Sequence, residues 1–194
     1  MRSSVTGAAA AAIQLDDAAV ARALLHAGPG LEKYRWLQAE LWTRDVAHDD
    51  EFQKTFNGFY RVRRNSAWRS AFYALFELEK SKRRTFGDVL WALHASTGRV
   101  EASFASKLVA SVNPDMPVID SFVVKNLGLP VSRGGSVAER FARIVDLHNQ
   151  IRRTYAEYLE TEAGHDLVAS FMQMYPGRSV TRTKMLDLVL WQAR

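Results

Sequence analysis

The sequence predicts an all-α protein, and three observations carry that prediction. Apolar residues recur at three- and four-residue spacing along most of the chain. The segments so marked open on Asp, Asn, Ser or Thr, the residues that cap helix starts. No stretch alternates with the two-residue period of a strand for long; "PVIDSFVV" at 117–124 comes nearest and is too short to outweigh its surroundings. With 194 residues, 47% of them apolar and 11% aromatic, the chain can bury a sizeable core, so a compact multi-helix domain is expected.

The elements follow in order. Residues 1–15 read as an N-terminal extension, because an alanine run followed at once by two acids makes a weak secretory signal. Residues 16–194 read as a single helical domain or two interleaved helical lobes. Asp16 and Asp17 can cap "AAVARALLHAG", which Gly28-Pro29-Gly30 should end. "LEKYRWLQAELWTRDVA" follows, with Leu31, Tyr34, Leu37, Leu41 and Trp42 at helical spacing. Asp49 or Asp50 opens "EFQKTFNGFYRVR", and Asn65 caps "SAWRSAFYALFELEKSK", where Trp68, Phe72, Leu75 and Phe76 form one apolar stripe. Thr85 precedes "FGDVLWALHAS", and Gly98 breaks the chain before "VEASFASKLVASV". Ser136 and Glu139 form a capping box for the expected longest helix, 137–161. "HDLVASFMQMY" and "TKMLDLVLWQA" complete the chain, giving eight to ten helices.

Composition excludes several chemistries. The absence of cysteine removes disulfides, thiol catalysis, zinc–thiolate sites and cysteine-ligated iron–sulfur clusters. The five histidines form no i,i+4 pair, so no metal site and no cofactor are expected. No apolar run approaches the roughly 20 residues that span a bilayer, so a cytoplasmic protein with no membrane partner is expected.

Charge is more informative in its distribution than in its total of +5. The stretch "YRVRRNSAWRSAFYALFELEKSKRR", residues 60–84, holds eight Arg and Lys against Glu77 and Glu79 alone. Such a local excess suits an anionic partner, above all a nucleic-acid backbone. Arg61, Arg63, Arg64, Lys82, Arg83 and Arg84 are the phosphate-contact candidates, with Arg99 and Lys125 further along. Arg178, Arg182 and Lys184 suggest a second, weaker patch. Among the aromatics, Trp68, Phe72, Phe76, Trp91 and Trp191 read as core, whereas Tyr60 and Tyr73 stand beside arginines and could meet bases. His148 lies on an apolar stripe and reads as an interior residue.

One stretch carries more than packing. In "NPDMPVIDSFVVKNLG", residues 113–128, the apolar Pro117, Val118 and Ile119 lead straight into a lone acid, Asp120, at an expected helix start. The simple reading is an N-cap. The longer window "LHASTGRVEASFASKLVASVNPDMPVIDSFVVKNLG", residues 93–128, resembles the helix–hairpin–helix (HhH-GPD) DNA glycosylase superfamily at its hairpin and catalytic aspartate. Gly98 matches the first hairpin glycine, and "PVIDSFVVKNL" matches the aspartate segment, with Asp120 in the catalytic place.

About 35 residues carry the match. It implies an HhH-GPD-like fold with a helix–hairpin–helix element near residues 86–112, duplex DNA as partner through backbone contacts, and Gly98 and Arg99 at the hairpin. It further implies an N-glycosylase that hydrolyses the bond to a flipped-out base, Asp120 stabilising the sugar's oxocarbenium character. The chain departs from the pattern at Val100, where the second hairpin glycine would stand, and at Ala102, where strand-cleaving members carry a lysine. Lys107 lies five positions further, about 140° around an ideal helix. The expectation is therefore base excision without Schiff-base lyase activity. An inactive HhH-like DNA-binding module and a helical protein–protein adaptor are the alternatives.

Overall fold

The computed structural model describes residues 13–129 and 134–193, and among them it has nine helices and no strand. They are α1 (Asp17–Glu40), α2 (Asp50–Tyr60), α3 (Ser66–Lys82), α4 (Phe86–Thr97), α5 (Ala102–Val112), α6 (Ser121–Asn126), α7 (Val137–Leu159), α8 (Glu162–Met174) and α9 (Arg182–Gln192). Most of the expected N-terminal extension lies outside the described residues, but Ile13 is already buried in the core.

Capping explains most of the helix starts. Asp16, Asn65, Thr85 and Thr181 each accept a hydrogen bond from the amide three residues on, as do Asp49, Ser136 and Thr161. Each such cap is worth about 1 kcal/mol. The capping box at Ser136–Glu139 forms as the sequence suggests, and Thr85 with Asp88 forms a second. Helix α5 has no side-chain cap.

The expected break at Gly28-Pro29-Gly30 does not occur. Helix α1 runs through it with Pro29 inside, which makes α1 the longest helix rather than α7. The reason is tertiary. The Tyr175 hydroxyl, from the end of α8, donates to the Leu24 carbonyl and takes the Gly28 amide, so a side chain is inserted where the ladder is interrupted. Both glycines also face rings: a Cβ on Gly28 would lie 3.5 Å from Tyr175, and one on Gly30 would lie 3.7 Å from Phe59. Two other boundaries are shorter than expected. Helix α2 stops at Tyr60 because Arg61 adopts a left-handed cap, φ 54°, and α7 stops at Leu159.

The core has two parts. Rings from α2 and α3, including Phe52, Phe56, Phe72 and Phe76, pack stacked, tilted or edge to face at 5.3–6.2 Å. On the other side, α9 is the hub: Met185 to Leu190 are all buried, and the helix packs against α1, α6, α7 and α8. The pairs α1–α2 and α4–α7 join the two sides. Trp68 and Phe72 are interior as expected, whereas Trp91 is 49% exposed, stacked on Phe141 at 3.9 Å. Tyr73 is corrected in the other direction. It is fully buried, and its hydroxyl bonds Asn57 at 2.8 Å, so it cannot meet a base.

Candidate active site around Asp120

Two helices and a hydroxyl before α9 fix the loop that carries Asp120. Thr181 donates to the Pro114 carbonyl at 2.7 Å. His148, on α7, bonds the Pro117 carbonyl through Nε2 at 3.2 Å. Ser106, on α5, accepts the Ile119 amide at 2.9 Å. Val118 and Ile119 are buried, so the apolar run before Asp120 is an anchor. His148 is the interior residue that its stripe suggested. It is stacked on Phe86 at 4.1 Å, and burial brings its pKa down to about 4, with the Pro117 bond opposing and Arg152 assisting.

Asp120 is the N-cap of α6: one oxygen, Oδ1, accepts the Phe122 amide at 3.0 Å. Its other oxygen makes no hydrogen bond among the described residues. Helix α6 has only six residues, so its dipole is a weak source of positive field. A second source is Lys107, whose charge interacts with that of Asp120. That side chain is 8% exposed, donates to the Tyr60 carbonyl at 3.2 Å and lies against the Tyr60 and Phe104 rings. Burial lowers its pKa; the charge of Asp120 opposes that and the charge of Arg61 adds to it.

Asp120 and Lys107 border one small cavity of about 30 Å³, together with Phe59, Tyr60 and, from α9, Lys184, Asp187 and Trp191. Lys184 and Asp187 form a buried ion pair at 2.9 Å, and Tyr155 donates to the second Asp187 oxygen at 2.8 Å. Burial, the largest influence, pushes the Lys184 ammonium's pKa down, but the charge and hydrogen bond of Asp187 together with Tyr60 and Tyr34 reverse it, and the net shift is upward. Lys184 therefore belongs to the interior and not to a surface patch with Arg178 and Arg182, which pair with Glu32 and Glu160.

The basic run of residues 60–84 is divided by α3, whose 17 residues span about 25 Å at 1.5 Å per residue. Arg61, Arg63 and Arg64 precede it; Lys82, Arg83 and Arg84 end it. Of the first group, Arg61 adjoins the cavity. Arg61 lies over the Trp191 ring at 5.7 Å, and exposed Arg63 and Arg99 line a surface cleft with Arg64, Asn65 and Thr97 beside the Gly98 turn. Gly98 takes φ 69° and closes α4, so α4, the turn and α5 form a helix–turn–helix unit. Val100 avoids positive φ; the left-handed requirement falls on Gly98 alone. Arg64 is less available, because it pairs with Glu101 at 2.9 Å. In the second group Arg83 covers Trp42 at 5.4 Å, Arg84 is held by Glu79, and Lys82 is exposed. Lys125 is exposed on α6.

Sequence reasoning undervalued Lys107 and missed the Lys184–Asp187–Tyr155 network. The signal for the latter was present: a Lys and an Asp three positions apart inside the otherwise apolar "TKMLDLVLW". Among the described residues no group of His, Asp and Glu could hold a metal ion, and no helix is long and apolar enough to cross a membrane. Compared with known family models, curated proteins and solved structures, the chain matches none.

Proposed function

We propose that the protein binds duplex DNA and excises a flipped-out base by hydrolysing its N-glycosidic bond, with Asp120 as the essential carboxylate. One observation carries the reading: Asp120 keeps a carboxylate oxygen uncommitted at the rim of a cavity, on a loop held rigid from several elements. Such an oxygen can stabilise the oxocarbenium character that develops on the sugar and orient the attacking water. The cavity's volume of about 30 Å³ is enough to hold a water molecule. The exposed Arg63 and Arg99, which line one cleft beside the Gly98 turn of the helix–turn–helix unit, supply cations for phosphate contacts. An HhH-GPD-like arrangement of the fold belongs to this reading.

Asp120→Asn tests it. Excision from duplexes bearing damaged or mismatched bases should fall by about two to three orders of magnitude, with duplex affinity unchanged. Equal loss of both places Asp120 in folding instead. A protein that grips every duplex and releases no base is the inactive binding module, and one indifferent to DNA is the adaptor.

Lys107 favours a second reading, excision coupled to strand cleavage. It borders the same cavity as Asp120, and burial shifts it toward the neutral, nucleophilic amine. Borohydride reduction during turnover would then trap a covalent DNA adduct that Lys107→Met lacks; no adduct leaves simple hydrolysis.

A further inference from the structure

A groove of about 720 Å³ runs between α1 and α8, and none of its lining residues borders the Asp120 cavity or the Arg63–Arg99 cleft. Two contacts orient its walls. Tyr175, just past α8, bonds the Leu24 carbonyl, while Tyr158, just before α8, feels the charge of Asp17 at the start of α1. The two helices therefore run in the same direction. Each carries an acid, a small residue and a large apolar residue at four-residue intervals: Asp17, Ala21 and Leu25 on α1, Asp166, Ser170 and Met174 on α8. All six are exposed, Leu25 by 69%. The groove thus has an acidic end and an apolar end. Its charge is opposite to the chain's: α8 has Glu162 and Asp166 but no Lys or Arg, and Arg22 of α1 lines a different cleft with Gln192. Asp17 and Asp166 have no hydrogen bond or ion pair among the described residues. Tyr158 also lines the groove, is 3% exposed, and has a buried hydroxyl with no partner. A hydroxyl left so is costly until something docks against it.

We propose that this groove docks an amphipathic helix of a protein partner, antiparallel to α1 and α8, with Lys or Arg in its last turn against Asp17 and Asp166. Complementary charge selects a basic partner. The antiparallel direction follows from the helix dipoles: a partner helix tolerates cations at its C-terminus, and that end is favoured beside the N-termini of α1 and α8. Small residues at Ala21, Ala163, Ala169 and Ser170 let the partner's backbone approach, and Met174 can adapt to the apolar side chains that follow. From Ala163 to Met174 the wall spans about 16 Å, three turns of such a helix. An ammonium at the acidic end can also donate to the Tyr158 hydroxyl. The docking does not depend on the base-excision reading.

The probe is a synthetic alanine–leucine helix with lysines in its last turn; one control carries glutamates there, and another carries the lysines in its first turn. Titrated into the isotope-labelled full chain, the first should shift amides of α1, α8 and the Tyr158 region alone. It should bind about tenfold more tightly than the glutamate control. Asp17→Lys combined with Asp166→Lys should reverse that preference. Ser170→Trp fills the groove from an exposed position, so it should abolish binding while leaving urea-induced unfolding unchanged. Equal affinity for lysine and glutamate peptides, shifts elsewhere on the surface, or full binding to Ser170→Trp overturns the docking. Tighter binding of the first-turn lysine control overturns the antiparallel orientation. Binding that appears only after residues 1–12 are deleted assigns the groove to the chain's own N-terminal segment, and self-association lost in Ser170→Trp assigns it to a second copy; either overturns the proposal.

Discussion

Two acids, Glu79 and Asp120, lie beside cations and are put to opposite uses. Glu79 is 1% exposed; one of its oxygens takes Arg84 Nε at 2.7 Å and the other the Arg84 amide at 3.3 Å. It is a fastener that closes the end of α3. Asp120 is partly exposed, gives one oxygen to a single amide, and faces Lys107 across a cavity without a hydrogen bond between them. The difference teaches that nearby positive charge does not by itself mark a functional acid. What distinguishes them is whether the geometry consumes the carboxylate or leaves part of it free.

Breaking the Glu79 end should have the larger effect on stability. Arg84→Met leaves the Glu79 carboxylate buried without its guanidinium, which should cost about 3 kcal/mol in urea-induced unfolding at neutral pH. Adding Glu79→Gln should recover part of that loss, since a neutral amide tolerates burial better. On the proposed DNA-binding reading, the salt dependence of binding should not change, because Arg84 is already occupied. A stable Arg84→Met protein with a shallower salt slope would make Arg84 a phosphate contact and erase the contrast between the two acids.

The contrast also explains how far the sequence could be read. Helix starts were legible because a cap is local: Asn65, Thr85 and Ser136 act on amides three residues away. The continuity of α1 through Pro29 was not, because it depends on Tyr175, 151 positions from the Leu24 carbonyl it bonds. Asp120 stood out as a lone acid after a buried-looking run. Lys107 was discounted on its angle relative to Ala102, but an angle on one helix says nothing about where neighbouring helices leave a cavity. The basic run looked like one patch because sequence distance hides the length of α3, which puts three of its cations at each end.

The Asp120 end should respond to acid through His148. Its pKa of about 4 in the folded protein lies below the ordinary 6.5, so the unfolded chain takes up a proton first as pH falls. The stability that neutral His148 confers is complete above pH 6.5 and is lost as pH drops from 6.5 toward 4. The total is about 3 kcal/mol. Because the ring holds the Pro117 carbonyl, amides of the 117–120 loop should exchange faster across that window before those around Glu79 do. His148→Gln should flatten the stability profile between pH 4 and 6.5. Uniform loosening of both ends would mean that His148 supports the whole core and not the Asp120 loop in particular.

The smallest stability effect belongs to Asp120 itself. Asparagine caps helices about as well as aspartate, and the Phe122 amide needs only one side-chain oxygen, so Asp120→Asn should shift unfolding by less than about 0.5 kcal/mol. The loop's other ties, at Ser106, His148 and Thr181, do not involve the carboxylate. A mutation silent in unfolding and severe in excision would separate the charge from the cap: the fold needs an acceptor at position 120, whereas the reaction needs an anion. A loss of several kcal/mol would instead make Asp120 a second Glu79, its charge bound up with Lys107 in holding the core together.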